Sequence, residues 1–582
     1  MPVDQPCSGD SGHIPKSSPY TGDSDAPSQS GNENRQCEIP LKCISSLTET
    51  GKAESSIQVP WQRTYRGRKP VIPSSLADTP CTELGVDGLL SKLNTTLGTS
   101  YTPSRNTSSL SFLLDDCITK DYDFGTAYGR LRPFWHDLTA IEDNLCTGEK
   151  KDQDMRQEAL VCNRIVNTKI RPRRVWDLYS NRVMPCWIMK DKQWPKPISH
   201  AWVDETDRND VWTPINGYEW PVPIPNDTKL DLIRIEMLNL GVEYTWLDVL
   251  CLRQKGGPRE DMRAEEWKLD VPTIGSVYSC EQAVLYLSGL GRPLSVSAGD
   301  LNSDRCWFRR AWTLQEAGED RIIAGDTEDG PLHAEPIDGE GNYADEMLTR
   351  FHQQLRALDN VSPDSYEIFG VLAEMRRRVS AKPVDKVAGL AFRLESTTIP
   401  VYSEDQSLEG AWTALVNTIV PWLRGDLFFG YPEQGKEGKK WRPSWGQVLM
   451  EPLPAEGECG AWVGRDDERG EDCCEGYCIE NGYVRGLAVG HADGVDRDGE
   501  FTVDDAYGKR HVFKITATHQ VPIPEAVYTL IGVHMTLEYW VVGRRLPERR
   551  FEKLSVFKMT VVEERDRLKN LSIATVSCSI LV

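Results

Sequence analysis

Between residues 195 and 330, short apolar runs alternate with amphipathic segments. The runs at 197–202, 244–254, 283–287 and 321–324 are separated by polar or Gly-containing stretches and read as strands. Ahead of the second run, 230–240 places Ile233, Met237 and Leu240 on one face and stops at Gly241, the spacing and punctuation of a helix. Helix-like segments follow at 265–278 and 306–316. Strands that alternate with helices join through right-handed crossovers. The pattern therefore predicts an α/β core with a mainly parallel sheet flanked by helices. One position breaks it. Asp248 stands inside the apolar run 244–254, and a carboxylate there is unfavourable unless it is paired or used.

Four further regions surround this core. Residues 1–110 are rich in Ser, Thr, Asn, Gly and Pro, and their apolar content is too low to offset the entropy of ordering. They are expected to be a largely disordered N-terminal region. The segment 111–194 is aromatic and charged, and Trp176, Leu178, Tyr179 and Trp187 are expected to pack as a lead-in against the core. Amphipathic stretches at 343–358, 365–379 and 410–423 predict a helical region over 331–440. From 441 to 582, short runs between Gly, Asp and Pro, the last strands at 554–562 and 571–582, predict a β-rich C-terminal region. The acidic stretch 493–505 within it is expected to be a solvated hairpin tip. Asp496 and Asp498 echo a calcium loop, but its first ligand position would be Gly494 and no helix flanks it.

Charge narrows the function classes. The chain of 582 residues carries a net charge of −21, so no overall positive field draws a phosphate backbone and nucleic acid is not an expected partner. The basic run at 171–174 is expected to be a solvated linker. No stretch has the apolar length of a membrane span, and the first residues lack the pattern of a signal peptide, so a soluble, cytoplasmic protein is expected. The 16 cysteines are then expected to be reduced. Cys459, Cys473, Cys474 and Cys478, with His491 beyond them, lack two matched ligand pairs, so a surface loop is expected there and no metal site. Walker A, G-x-G-x-x-G and H-E-x-x-H motifs are absent.

Three separated blocks together resemble the fungal heterokaryon incompatibility (HET) domain. They are Ile198-Ser199-His200-Ala201-Trp202, then Thr245-Trp246-Leu247-Asp248-Val249-Leu250-Cys251-Leu252-Arg253-Gln254, then Trp307-Phe308-Arg309-Arg310-Ala311-Trp312-Thr313-Leu314-Gln315-Glu316. Gly275-Ser276-Val277-Tyr278 resembles the family's tyrosine-containing helix. Asp385-Lys386-Val387-Ala388-Gly389-Leu390 and Arg442-Pro443-Ser444-Trp445 resemble segments that accompany the domain. Two features depart from the family pattern. Arg253 stands where an acidic residue often precedes the glutamine, and Pro272 and Gly275 interrupt the following helix. Pro272 is expected to start or kink that helix.

The resemblance implies a module of non-self recognition and programmed cell death, working through self-association or a partner incompatibility protein. It extends distantly to TIR domains, some of which cleave NAD+, so NAD+ enters as a candidate substrate with no separate cofactor. The alternative is a non-catalytic interaction or scaffolding module. TIR-type hydrolases place a glutamate one turn beyond a tryptophan on a helix. By that likeness Glu316 is the catalytic candidate, with Trp312 four residues earlier on the same helical face. Ser199, Trp202 and Asp248 then shape the substrate pocket. The residue types admit other roles. Trp312 can be core, Glu316 a solvated charge or a partner of Arg309 or Arg310, Asp248 a structural carboxylate that caps a loop or pairs with Arg253, Cys251 a buried thiol and His200 structural.

Overall fold

The structure, a computed structural model, describes residues 71–102, 108–137, 141–189, 193–316, 321–327, 329–360, 367–455, 459–490 and 494–582. Its first sheet is built from β1 (Arg174–Asp177), β2 (Arg182–Pro185), β3 (Lys196–His200), β4 (Tyr244–Leu247), β5 (Ala283–Tyr286) and β6 (Arg321–Ile323). The spatial order is β6-β5-β3-β4-β1-β2. Neighbours from β6 to β4 pair parallel, and β4–β1 and β1–β2 pair antiparallel. The sheet is therefore mixed. Every residue of β4 and β5 is buried, as expected for strands covered on both faces. The predicted boundary at 195 cuts through this sheet, because the lead-in supplies its antiparallel edge.

The helix predicted before β4 spans Leu230–Asn239. It ends in a Schellman turn: Gly241 N–H bonds to Leu238 and Val242 N–H to Met237, with Gly241 at φ 75°. Pro272 splits the helix predicted over 265–278 into Arg263–Asp270 and Ile274–Cys280. A second expectation fails. The segment 306–316 is a 3₁₀ turn, Trp307–Arg309, followed by a single helical turn, Thr313–Glu316. Between them Arg310 is extended and bridges Val379, a long-range contact that a local pattern does not carry.

Residues 71–102 overturn the expected disorder where they are described; 1–70 and 103–107 lie outside the described residues. Helix Cys81–Leu97 buries Leu89, Leu90 and Leu93. Arg182 anchors the N-terminal part to β2, reaching Asp78 at 2.6 Å and Asp123 at 2.8 Å. The helical region holds Glu346–Asn360, Ile368–Arg377, Leu408–Val416 and Pro421–Phe429.

The C-terminal sheet contains β7 (Val463–Asp466), β8 (Glu471–Arg485), β9 (Arg497–Asp504), β10 (Arg510–Ala517), β11 (Ala526–Gly532), β12 (Tyr539–Arg545), β13 (Arg550–Lys558) and β14 (Thr575–Leu581). Pairings run β8-β9-β10-β13-β12-β11 and return to β8, so the sheet closes on itself. Phe501, Phe513, Trp540 and Phe557 fill its core. Two readings are corrected here. Cys473, Cys474 and Cys478 lie on β8, whose alternating faces send Cys473 and Cys474 apart; they do not sit on a surface loop. His491 lies outside the described residues. The acidic stretch becomes strand from Arg497, and Val562–Asn570 is a helix. Among the described residues no helix is long and apolar enough to cross a membrane.

Candidate active site

β3 and β4 run parallel, so their carboxyl ends open on one edge of the sheet, where ligands of open α/β sheets gather. β3 ends in Ser199 and His200. β4 stops at Leu247, and Asp248 begins the helical turn Asp248–Cys251, so the carboxylate stands at the strand end and not inside the strand. Trp220 fixes that turn by donating to the Val249 carbonyl at 3.0 Å. Asp248 Oδ1 accepts from Val249 N–H at 2.7 Å and lies 2.9 Å from His200 Nε2. His200 Nδ1 faces the Ala201 carbonyl at 3.3 Å. With a carboxylate and a carbonyl as partners, both ring nitrogens are set to donate, which favours the imidazolium. Burial opposes the charge on each member, but their mutual attraction outweighs it. His200 is raised above the ordinary histidine value and Asp248 is held below the carboxylate value.

Behind this pair lies Glu316. Ser199, only 1% exposed, donates to Glu316 and accepts from Trp307 Nε1–H at 2.7 Å. Both functions of its hydroxyl are engaged within the protein. Ser199 thus holds Glu316 and is not among the residues that line the cavity described below. Burial, reinforced by Asp248, pushes the Glu316 carboxyl up to about 7; Ser199, His200 and Arg310 oppose the rise. The solvated alternative for Glu316 fails, and Arg309 pairs with Asp304 at 3.2 Å.

A cavity of about 800 Å³ opens over these groups. His200, Trp202, Asp248, Arg310, Trp312 and Glu316 line it from the predicted core. Trp202 stacks on His200 with centroids 5.6 Å apart. Trp312 precedes the turn Thr313–Glu316 and so does not share a helix with Glu316, yet both reach the cavity. Trp267, Asp385 and Tyr402 also line it, and the last two come from beyond the predicted core boundary at 330. Tyr402 lies 6.0 Å from Trp312 and 6.2 Å from Trp267, and its hydroxyl donates to Asp385 at 2.7 Å. Burial raises Asp385 above the usual carboxylate value despite hydrogen bonds from Tyr402, Lys382 N–H and Trp312.

Other sequence expectations resolve by partner. Arg253 pairs with Glu266 at 3.2 Å and Glu219 at 2.8 Å, which removes it as the partner of Asp248. Tyr278 donates to the Ile198 carbonyl at 3.0 Å and braces β3. Cys251 is a buried thiol, pushed up to about 12 by burial. In the basic run, Arg173 pairs with Asp270 and Arg174 with Glu266, both at 2.7 Å, so these two cations are neutralised and not solvated. Arg310 and Asp385 sat within quoted motif blocks, so the sequence held a signal for them. Tyr402 and Trp267 carried none, since only the tertiary fold brings them to the cavity. Comparison with family models, with curated proteins and with solved structures finds no match.

Proposed function

We propose that this chain is a HET-type protein of non-self recognition and cell-death signalling whose cavity cleaves NAD+ to nicotinamide and ADP-ribose. One observation carries the reading. Glu316, a carboxyl pushed up to about 7 and held by Ser199, lines a cavity at the strand ends beside the Asp248–His200 pair. In addition, the three blocks that resemble the HET family, and through it TIR-like sheets, all contribute to this one cavity.

In the proposed reaction, the bond from the ribose C1′ to the nicotinamide nitrogen breaks and its electron pair leaves with the ring. The cationic ring departs neutral and needs no proton. Positive charge grows on the ribose, where the Glu316 carboxylate stabilises it. Water bonds to C1′ and gives its proton to Glu316, whose pKa near working pH suits a general base. The Ser199 hydroxyl fixes the carboxylate, and Trp202 and Trp312 offer ring faces for stacking.

Nicotinamide release by the full chain, wild type beside Glu316→Ala, tests this at low and high protein concentration. The expected result is release by wild type and a loss of about 100-fold or more in the variant. Release per molecule that rises with concentration would point to a site assembled by self-association. No release by folded wild type at any concentration would replace the hydrolase with the non-catalytic interaction module.

A further inference from the structure

Among the described residues, two cations that line the cavity, Lys255 and Arg310, have no ion-pair partner. Of the two, only Arg310 is a guanidinium set against an aromatic ring of the cavity. The others are neutralised within the protein. Arg305 pairs with Asp204, Arg208 with Glu205, Arg263 and Lys382 with Glu404, and His200 with Asp248. The Arg310 guanidinium lies 5.9 Å from the Trp202 ring and lines the cavity. Its backbone is fixed: φ is −82° and ψ is 140°, and its carbonyl accepts from Arg378 and Thr313, each at 2.8 Å. Asp248, Glu316 and Asp385 face it from beyond ion-pair contact, and each is engaged elsewhere, with His200, Ser199 and Tyr402. Burial lowers the Arg310 pKa despite these carboxylates, yet a guanidinium starts so high that it stays charged. A charged, flat, half-buried donor array is thus held against an indole with its outer N–H groups uncommitted. Its natural complement is a tetrahedral oxyanion, which a guanidinium fork grips through two parallel hydrogen bonds.

We infer that Arg310 is the phosphate-recognition residue of this cavity, which selects a phosphorylated nucleotide over the bare nucleoside. This deepens the NAD+ reading and rests on it for the occupant, whose diphosphate bridge supplies the oxyanion. The test is equilibrium binding of two probes, ADP-ribose and adenosine, to the full chain by titration calorimetry. Wild type is expected to prefer ADP-ribose by at least about tenfold, with affinity falling as salt rises. Arg310→Gln is expected to erase that preference and leave adenosine binding unchanged, while Arg310→Lys retains part of it as a point charge. Adenosine binding reports whether each variant is folded. Equal affinity of wild type for both probes, binding of neither, or a full preference kept in Arg310→Gln would each overturn the inference. Arg310-dependent ADP-ribose binding without nicotinamide release would sink the hydrolase and leave the phosphate site standing. Release whose KM ignores Arg310 would do the reverse.

Discussion

The role proposed for Glu316 sets function against stability. Its carboxyl is shifted up to about 7, whereas the unfolded chain restores a value near 4.5. Between those pH values the folded state binds more protons than the unfolded state, so this residue's contribution is complete below about 4.5 and is lost as pH rises towards 7. Glu316→Gln removes the titration and keeps an acceptor for Ser199. Relative to wild type, the variant should gain on the order of 2–3 kcal/mol between pH 4.5 and pH 8. Urea unfolding at the two pH values measures it; a constant difference would show that the carboxyl is not shifted. In the proposed reaction, nicotinamide release should run the other way, rising with pH through about 7 as the carboxylate forms. At this scale the sequence was informative about types and weak about partners. Asp248 stood out because a charge in an apolar run demands a reason, but its reason, His200, arrives from another strand. Ser199 stood in the first motif block, yet the partners of its hydroxyl, Glu316 and Trp307, come from a distant block that a linear reading does not bring to it.

Elements whose limits are local were legible, and those whose limits are tertiary were not. The helix Leu230–Asn239 could be read with its stop because Gly241 adopts φ 75° for the Schellman turn. A Cβ at Gly241 meets nothing within 4 Å, so Gly241→Ala tests the backbone alone. The expected loss is about 1 kcal/mol, seen as a lower urea midpoint with an unchanged slope. A loss of several kcal/mol would instead mean that the turn positions β4 and hence Asp248. The segment 306–316 shows the opposite case. Its apolar spacing reads as helix, but the bridge from Arg310 to Val379 pulls the middle into an extended conformation. That same departure sends Arg310 towards Trp202. The local pattern failed at the place where the candidate site is built.

Over the whole molecule, composition separated a β-rich C-terminal region from a helical one, but closure of the barrel rests on the pairing of β8 with β11, which no alternation reveals. The joint between the two regions contains Lys553, on β13 and fully buried. Its Nζ donates to the Phe428 carbonyl at 2.7 Å, at the end of helix Pro421–Phe429, and lies 5.6 Å from the Phe428 ring. Burial pulls this amine down to about 7, against an opposing influence from Cys459. In the unfolded chain it titrates near 10.5. Between these values the unfolded state carries a proton that the folded state lacks, so wild-type stability from this group rises with pH from about 7 upward. Lys553→Met leaves the Phe428 carbonyl without its donor, a penalty that does not change with pH because a neutral amine also donates. The offset between the two proteins is therefore less informative than its slope. Urea unfolding at pH 7 and pH 9 should show wild type gaining on the variant by about 2 kcal/mol at the higher pH. A flat difference would mean that the carbonyl and the aromatic face keep the ammonium charged, making the joint a buried cation site and not a neutral hydrogen bond.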